Sequence, residues 1–203
     1  MVGKPIRDME SIGVRFARSI IDPCALREVQ PGTFILQLGK NGRFMSEETL
    51  RKAYEILSAR INTPISQSKW FEITQDRINE FADVTMDHQW IHVDEERAGK
   101  GPYGGTIAHG HLTLAMMGQL PIAEDATESL PKLEGQKQRV NYGFDRVRFP
   151  SPVPSGAMIR RTTTLRRVEI KGGMIETLNE VVVEIQGQEK PACVAESLGR
   201  IVF

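Results

Sequence analysis

The sequence predicts an α+β fold in which an antiparallel sheet wraps around one buried helix, and three observations carry that expectation. The run TIAHGHLTLAMMGQL, residues 106–120, is apolar around most of its circumference, which suits a helix buried on nearly every side. The run MIETLNEVVVEI, residues 174–185, alternates Ile175, Thr177, Val181, Val183 and Ile185 with Glu176, Glu180 and Glu184, as a strand with one buried and one wet face does. Gly172-Gly173 separates two such extended runs and predicts a tight hairpin turn, which makes those strands antiparallel.

Residues 1–65 read differently from the rest and are expected to form an N-terminal extension, partly helical. A helix carrying Ile12, Phe16 and Ile20 leads to Pro31-Gly32, a strand-like TFILQL and an Asn41-Gly42 turn. SEETLRKAYEILSARI then sets Leu50, Ala53, Tyr54, Leu57 and Ile61 on one helical face, with Ser46 as N-cap and Glu47 and Glu48 in the first turn. From Trp70, WFEI reads as a strand, and Thr74 caps a helix that turns Ile78, Phe81, Ala82 and Thr85 inward. The glycine loop GKGPYGG precedes the apolar helix, and Pro121 stops it. After the polar stretch AEDATESLPKLEGQKQR come four extended segments: VNYGFDRVRF, AMIRRTTTLRRVEI, MIETLNEVVVEI and PACVAESLGRIVF.

The chain has 203 residues, enough for one domain with a sizeable core plus an appended segment. Lys plus Arg and Asp plus Glu both total 26, so no net field draws it to nucleic acid or to an anionic membrane surface. Cys24 and Cys193 match no metal-ligand spacing and suit a reducing compartment. The opening MVGKPIRDMESIGVRFARS has no apolar core of signal-peptide length, and no apolar run is long enough to span a bilayer. The expectation is a soluble cytoplasmic protein.

All four histidines, His88, His92, His109 and His111, fall within residues 87–111, together with Asp87, Asp94 and five glycines. A carboxylate and an imidazole on one rigid turn, as Asp87 and His92 are placed, can share a water and pass protons both ways. The blander reading makes Asp87 a cap and His92 a satisfied, half-buried histidine. A metal site is a rival because His88 and His92 have i,i+4 spacing, but no Glu stands where the zinc-protease helix pattern requires it. GKGPYGGT lacks the spacing of a phosphate loop, and reads as a flexible connection.

The string FADVTMDHQWIHVDEERA followed by GPYGGTIAHGHLTLAM resembles the hydratase motif of the MaoC-like dehydratase family, and specifically its nodulation-protein-N-type (R)-specific enoyl-CoA hydratases. NYGFDRVRFPSPVPSGA and KPACVAES extend the likeness over residues 66–203. The resemblance implies a hot-dog fold, an antiparallel β-sheet wrapped around a long central helix, for that span, and a homodimer or dimer of dimers. Its catalytic Asp falls on Asp87, its catalytic His on His92, and the glycine after the helix histidine on Gly110; His109 takes a structural place. Members of the subgroup usually have Gly where this chain has Met86, which either narrows the pocket or points away. Gln89-Trp90 replaces the Asn-Pro of the broader family, a change the subgroup shares.

The implied reaction is hydration of a trans-2-enoyl-CoA, or the reverse dehydration of a 3-hydroxyacyl-CoA, with no cofactor and no metal. Asp87 and His92 would activate the water and return a proton to C2, and the Gly110 N–H would face the thioester oxygen. Arg146 and Arg148 could face the CoA phosphates but read more readily as solvated surface arginines, and they stand outside the expected site. A catalytically silent acyl-CoA-binding or scaffold protein, and a thioesterase of the same fold, are the alternatives.

Overall fold

The computed structural model describes residues 47–123, 130 and 132–203. The expected helix around Ile12, the TFILQL strand, the Asn41-Gly42 turn, the Ser46 cap and Cys24 lie outside these residues. The chain divides into two units, Met1–Phe44 and Met45–Phe203, and the helices and strands named below belong to the second.

Helix α1 (Glu47–Ser58) carries Glu47 and Glu48 in its first turn, where they complement the helix dipole. Its apolar face is the one expected: Ala53 and Leu57 are buried, and Leu50, Tyr54 and Ile61 pack beside them against Leu165, Val168 and Ile175 of the sheet. The apolar face of α1 is thus covered within the unit that begins at residue 45, although the expected extension ran to residue 65.

Strands β1 (Pro64–Gln67) and β2 (Phe71–Glu72) follow, then helix α2 (Gln75–Thr85), two short helices α3 (Trp90–Val93) and α4 (Glu95–Gly99), helix α5 (Gly110–Met116), and strands β3 (Gln138–Arg148), β4 (Met158–Lys171), β5 (Met174–Ile185) and β6 (Cys193–Val202). The sheet order is β1-β4-β5-β6-β3, with β2 also on β4, and every pair is antiparallel. Gly172 and Gly173 join β4 to β5 with φ of 56° and 75°, the left-handed pair that a two-residue hairpin requires. Register shifts at Leu165/Arg167 and along β3 bend the strands, as bulges do.

Two apolar clusters form the core. One gathers Ile78 of α2, Leu112 of α5 and Ile159, Val181 and Val183 of the sheet; the other lies under α1. Several expectations need correction. The run from Thr106 starts extended, because Ala108 N–H donates to Val153 O and Ile107 bridges Pro154, so the helix begins only at Gly110. That helix buries Leu112, Thr113 and Met117 but leaves His111, Ala115 and Gly118 exposed along one side, so within a single chain it is covered on one face rather than all round. Thr85 is exposed and its hydroxyl donates to Phe81 O, and Glu176 is buried rather than wet because Lys171 and Arg200 close over its carboxylate.

Candidate active site

The site begins with the way α2 ends. Thr74 caps the helix, its Oγ1 accepting from Arg77 N–H at 3.3 Å, and Met86 closes it in the left-handed conformation, φ 61° and ψ 21°. A left-handed residue reverses the chain after a helix, and glycine is favoured there because it has no Cβ to crowd the carbonyl. The Met86 side chain is 84% exposed. The departure from glycine at this position therefore acts on the backbone, and the side chain points away from the core.

That reversal delivers Asp87, after which α3 brings in His92. Asp94 accepts from Arg97 N–H at 3.0 Å and caps α4, so it is a structural carboxylate. His92 is buried, and its Nδ1 lies 2.7 Å from Ile107 O. A carbonyl only accepts, so Nδ1 carries the proton and Nε2 is left with its lone pair. His109 N-caps α5, its Nε2–H donates to the Asp87 backbone carbonyl at 2.9 Å, and its ring stacks on His92 with centroids 3.8 Å apart. A carboxylate oxygen of Asp87 and ring nitrogens of His92 and His109 lie within 4.8 Å of one another. Asp87 is exposed while both imidazoles are buried, so the carboxylate and the two rings meet at a boundary between core and solvent.

Burial holds His92 below the ordinary imidazole range, and the nearby His109 pushes in the same direction; the Ile107 hydrogen bond and the Asp87 carboxylate oppose them. The result is a neutral imidazole with a free Nε2. A cation approaching this group of three would meet His92 Nε2 and the unpartnered His109 Nδ1, since Nδ1 of His92 and Nε2 of His109 are held by backbone carbonyls. His88 pairs with Asp83 at 2.8 Å on the surface, and His111 is exposed and lies near Phe149. Four histidines adjacent in sequence thus resolve into two that converge on Asp87 and two that do not.

Gly110 is the first residue of α5, where a backbone N–H has no intrahelical acceptor. A Cβ built there would stand 3.0–3.2 Å from the Phe149 ring, so the aromatic ring occupies the space a side chain would need. Sequence reasoning missed Phe149, and it missed Gln75. The Gln75 amide donates to His92 O at 2.8 Å and accepts from the Thr106 hydroxyl, which ties α3 to the segment whose Ile107 carbonyl holds the imidazole. A lone Gln at the start of a helix carries no mark in sequence. Arg146 reaches Glu196 at 3.7 Å and Arg148 donates to Val147 O, both at exposed positions.

A family model described as MaoC like domain matches residues 57–186. The chain is 47% identical to 3-hydroxyacyl-thioester dehydratase Z of Mycobacterium tuberculosis over 147 residues, which is 72% of this chain and 93% of that protein. It is 41% identical to Nodulation protein N of Rhizobium leguminosarum bv. viciae over 147 residues, 71% of this chain and 88% of the relative. Among solved structures, a MaoC-like dehydratase from Rhodospirillum rubrum matches with a TM-score of 0.55 at 20% identity, covering 70% of this chain and 91% of the other. A monoamine oxidase regulatory protein from Archaeoglobus matches with a TM-score of 0.58 at 22% identity, covering 70% and 89%. These likenesses show the fold: an α+β hot-dog, its antiparallel sheet wrapped around a central helix.

Proposed function

The chain belongs to the MaoC-like dehydratase family, and on that premise we propose that it is a hydro-lyase that adds water to trans-2-enoyl-CoA thioesters to give (R)-3-hydroxyacyl-CoA, and runs the reverse dehydration. The observation that carries this reading is the meeting of Asp87, His92 and His109 from segments 22 residues apart, with His92 oriented so that Nε2 faces away from its backbone anchor.

In the hydration direction a water is held between the Asp87 carboxylate and His92 Nε2. Removal of its proton lets the oxygen bond to C3 as the C2–C3 π electrons shift toward the thioester carbonyl. The enolate oxygen meets the Gly110 N–H, a donor already in place where charge develops. The proton then returns to C2, so one water is added and nothing else is consumed. The thioester itself acidifies C2, so the chemistry calls on no cofactor. His109 positions rather than reacts: it fixes the Asp87 backbone and one face of the His92 ring.

The working form is a homodimer or dimer of dimers, joined through β3. That strand stands at the end of the sheet and shows Val140, Tyr142 and Phe144 to solvent, and an open edge of this kind is normally paired or covered. Among the described residues no helix is long and apolar enough to cross a membrane. Cys193 is free and buried, and burial pushes its thiol up to about 11, which keeps it unreactive; a free thiol fits a reducing cytoplasm where fatty acyl thioesters are metabolised.

The test is loss of the conjugated-thioester absorbance when purified protein meets short and long trans-2-enoyl-CoAs, with chiral analysis of the product. Turnover to the (R) alcohol is expected. A folded dimer that hydrates none of them sinks the proposal in favour of a silent binder, and release of free CoA without hydration points to a thioesterase.

A further inference from the structure

One face of the sheet carries a polar band between its two apolar clusters. Asn179 on β5 stands directly opposite Ser197 on β6, while Thr163 and Arg161 continue the band on β4 opposite Val181 and Val183. With Leu114, Met117 and Gly118 from α5 and the turn after it, they wall a cavity of about 450 Å³. That is the size of a small-ligand site.

Arg161 is 9% exposed, and its Nη2 donates to Ser66 Oγ at 2.9 Å. Its Nε has no partner, and no carboxylate among the described residues pairs with it. A guanidinium stays charged in a protein, so a desolvated one without a counter-charge is costly, and an anion from outside is its natural complement. Burial already presses Arg161 below the ordinary arginine range.

The cavity lies alongside the helix that starts at the catalytic centre. Leu114 to Gly118 are four to eight residues beyond Gly110, roughly 6–12 Å along a helix axis. An acyl chain of medium length whose thioester sits at Gly110 spans that distance. We propose that this trough receives the far end of the acyl chain and selects chains ending in a carboxylate, making the preferred substrates ω-carboxy-2-enoyl thioesters. The inference rests on the hydratase reading and names its substrate class.

The experiment compares matched trans-2-enoyl-CoAs of equal carbon count, one ending in methyl and one in carboxylate. For the full-length wild type, kcat/KM should favour the carboxylate by about 10- to 100-fold, the range of one charge-assisted hydrogen bond. Arg161→Met should bring the ratio to about one, and Arg161→Lys should keep part of it. Arg161→Gln, which keeps a donor for Ser66 Oγ but carries no charge, should also bring it to about one, and with the wild-type ratio it decides the matter if Arg161→Met does not fold. A wild-type ratio at or below one overturns the proposal, as does a folded Arg161→Met that keeps the wild-type ratio. Failure to hydrate either substrate removes the hydratase reading, and this inference with it; hydration of both without preference removes the inference alone.

Discussion

Asp87→Asn and His92→Gln keep approximate size and some hydrogen bonding while removing groups that exchange protons. Each should lower turnover of trans-2-enoyl-CoA by about 10²- to 10⁴-fold. On the proposed mechanism, in which both act on one water, the double variant should be far less than multiplicatively worse, as steady-state kinetics on folded protein would show. The acid side of the pH profile follows from His92. Its folded pKa lies below the ordinary value of about 6.5, so the acid limb of kcat/KM should fall at lower pH than that of a free imidazole. The stability effect has the same origin. Between the folded and unfolded pKa values the unfolded chain binds more protons, so stability is complete above about pH 6.5 and declines as pH falls below it. Denaturant titrations of wild type and His92→Gln should diverge least in the acid range; equal pH dependence for the two would refute the assignment. At this scale the residue types of the proposed site were legible, since Asp87, His92 and Gly110 stand out in the motif that resembles the family's. The choice of Nε2 was not, because it depends on the Ile107 carbonyl fifteen residues away.

Met86 shows how an element's end sets a site. Holding a side chain in the left-handed conformation costs about 1–2 kcal/mol relative to glycine, so Met86→Gly should stabilise the fold by about 1 kcal/mol, seen as a higher denaturation midpoint with an unchanged m-value. Activity should change little, because the Met86 side chain is directed to solvent. Helix α1 makes a larger demand. Leu57 is fully buried and Leu50 and Tyr54 pack beside it; at about 1.5–3 kcal/mol per buried side chain their loss is on the order of 5 kcal/mol, comparable with a small domain's whole stability. A chain starting at residue 45 should therefore melt as the full chain does, whereas one starting at residue 61 should be insoluble or melt far lower. Equal melting of the two would restore a domain boundary near 65. The amphipathic spacing of α1 was readable in sequence; what it covers was not, since Leu165, Ile175 and Ile201 meet it only through the folded sheet.

For the molecule as a whole, alternation in β4 and β5, the Gly172-Gly173 turn and the apolar run at 106–120 were enough to specify a sheet around a helix. They could not specify how much of that run is helical, because periodicity is blind to the Val153 and Pro154 contacts that hold Ile107 and Ala108 extended. Nor could they reveal that the core is split. The polar band of Arg161, Thr163, Asn179 and Ser197 interrupts apolar packing between the cluster under α1 and the cluster around α5. Cooperative unfolding depends on continuous packing, and this is where it is weakest. The end holding α1 and the Gly172-Gly173 hairpin should open as a separate foldon while α2, α5, His92 and His109 stay shut. Native-state amide exchange should find two free-energy levels, the lower in α1 and the distal halves of β4 and β5, and occupancy of the trough by a ligand should draw the two together.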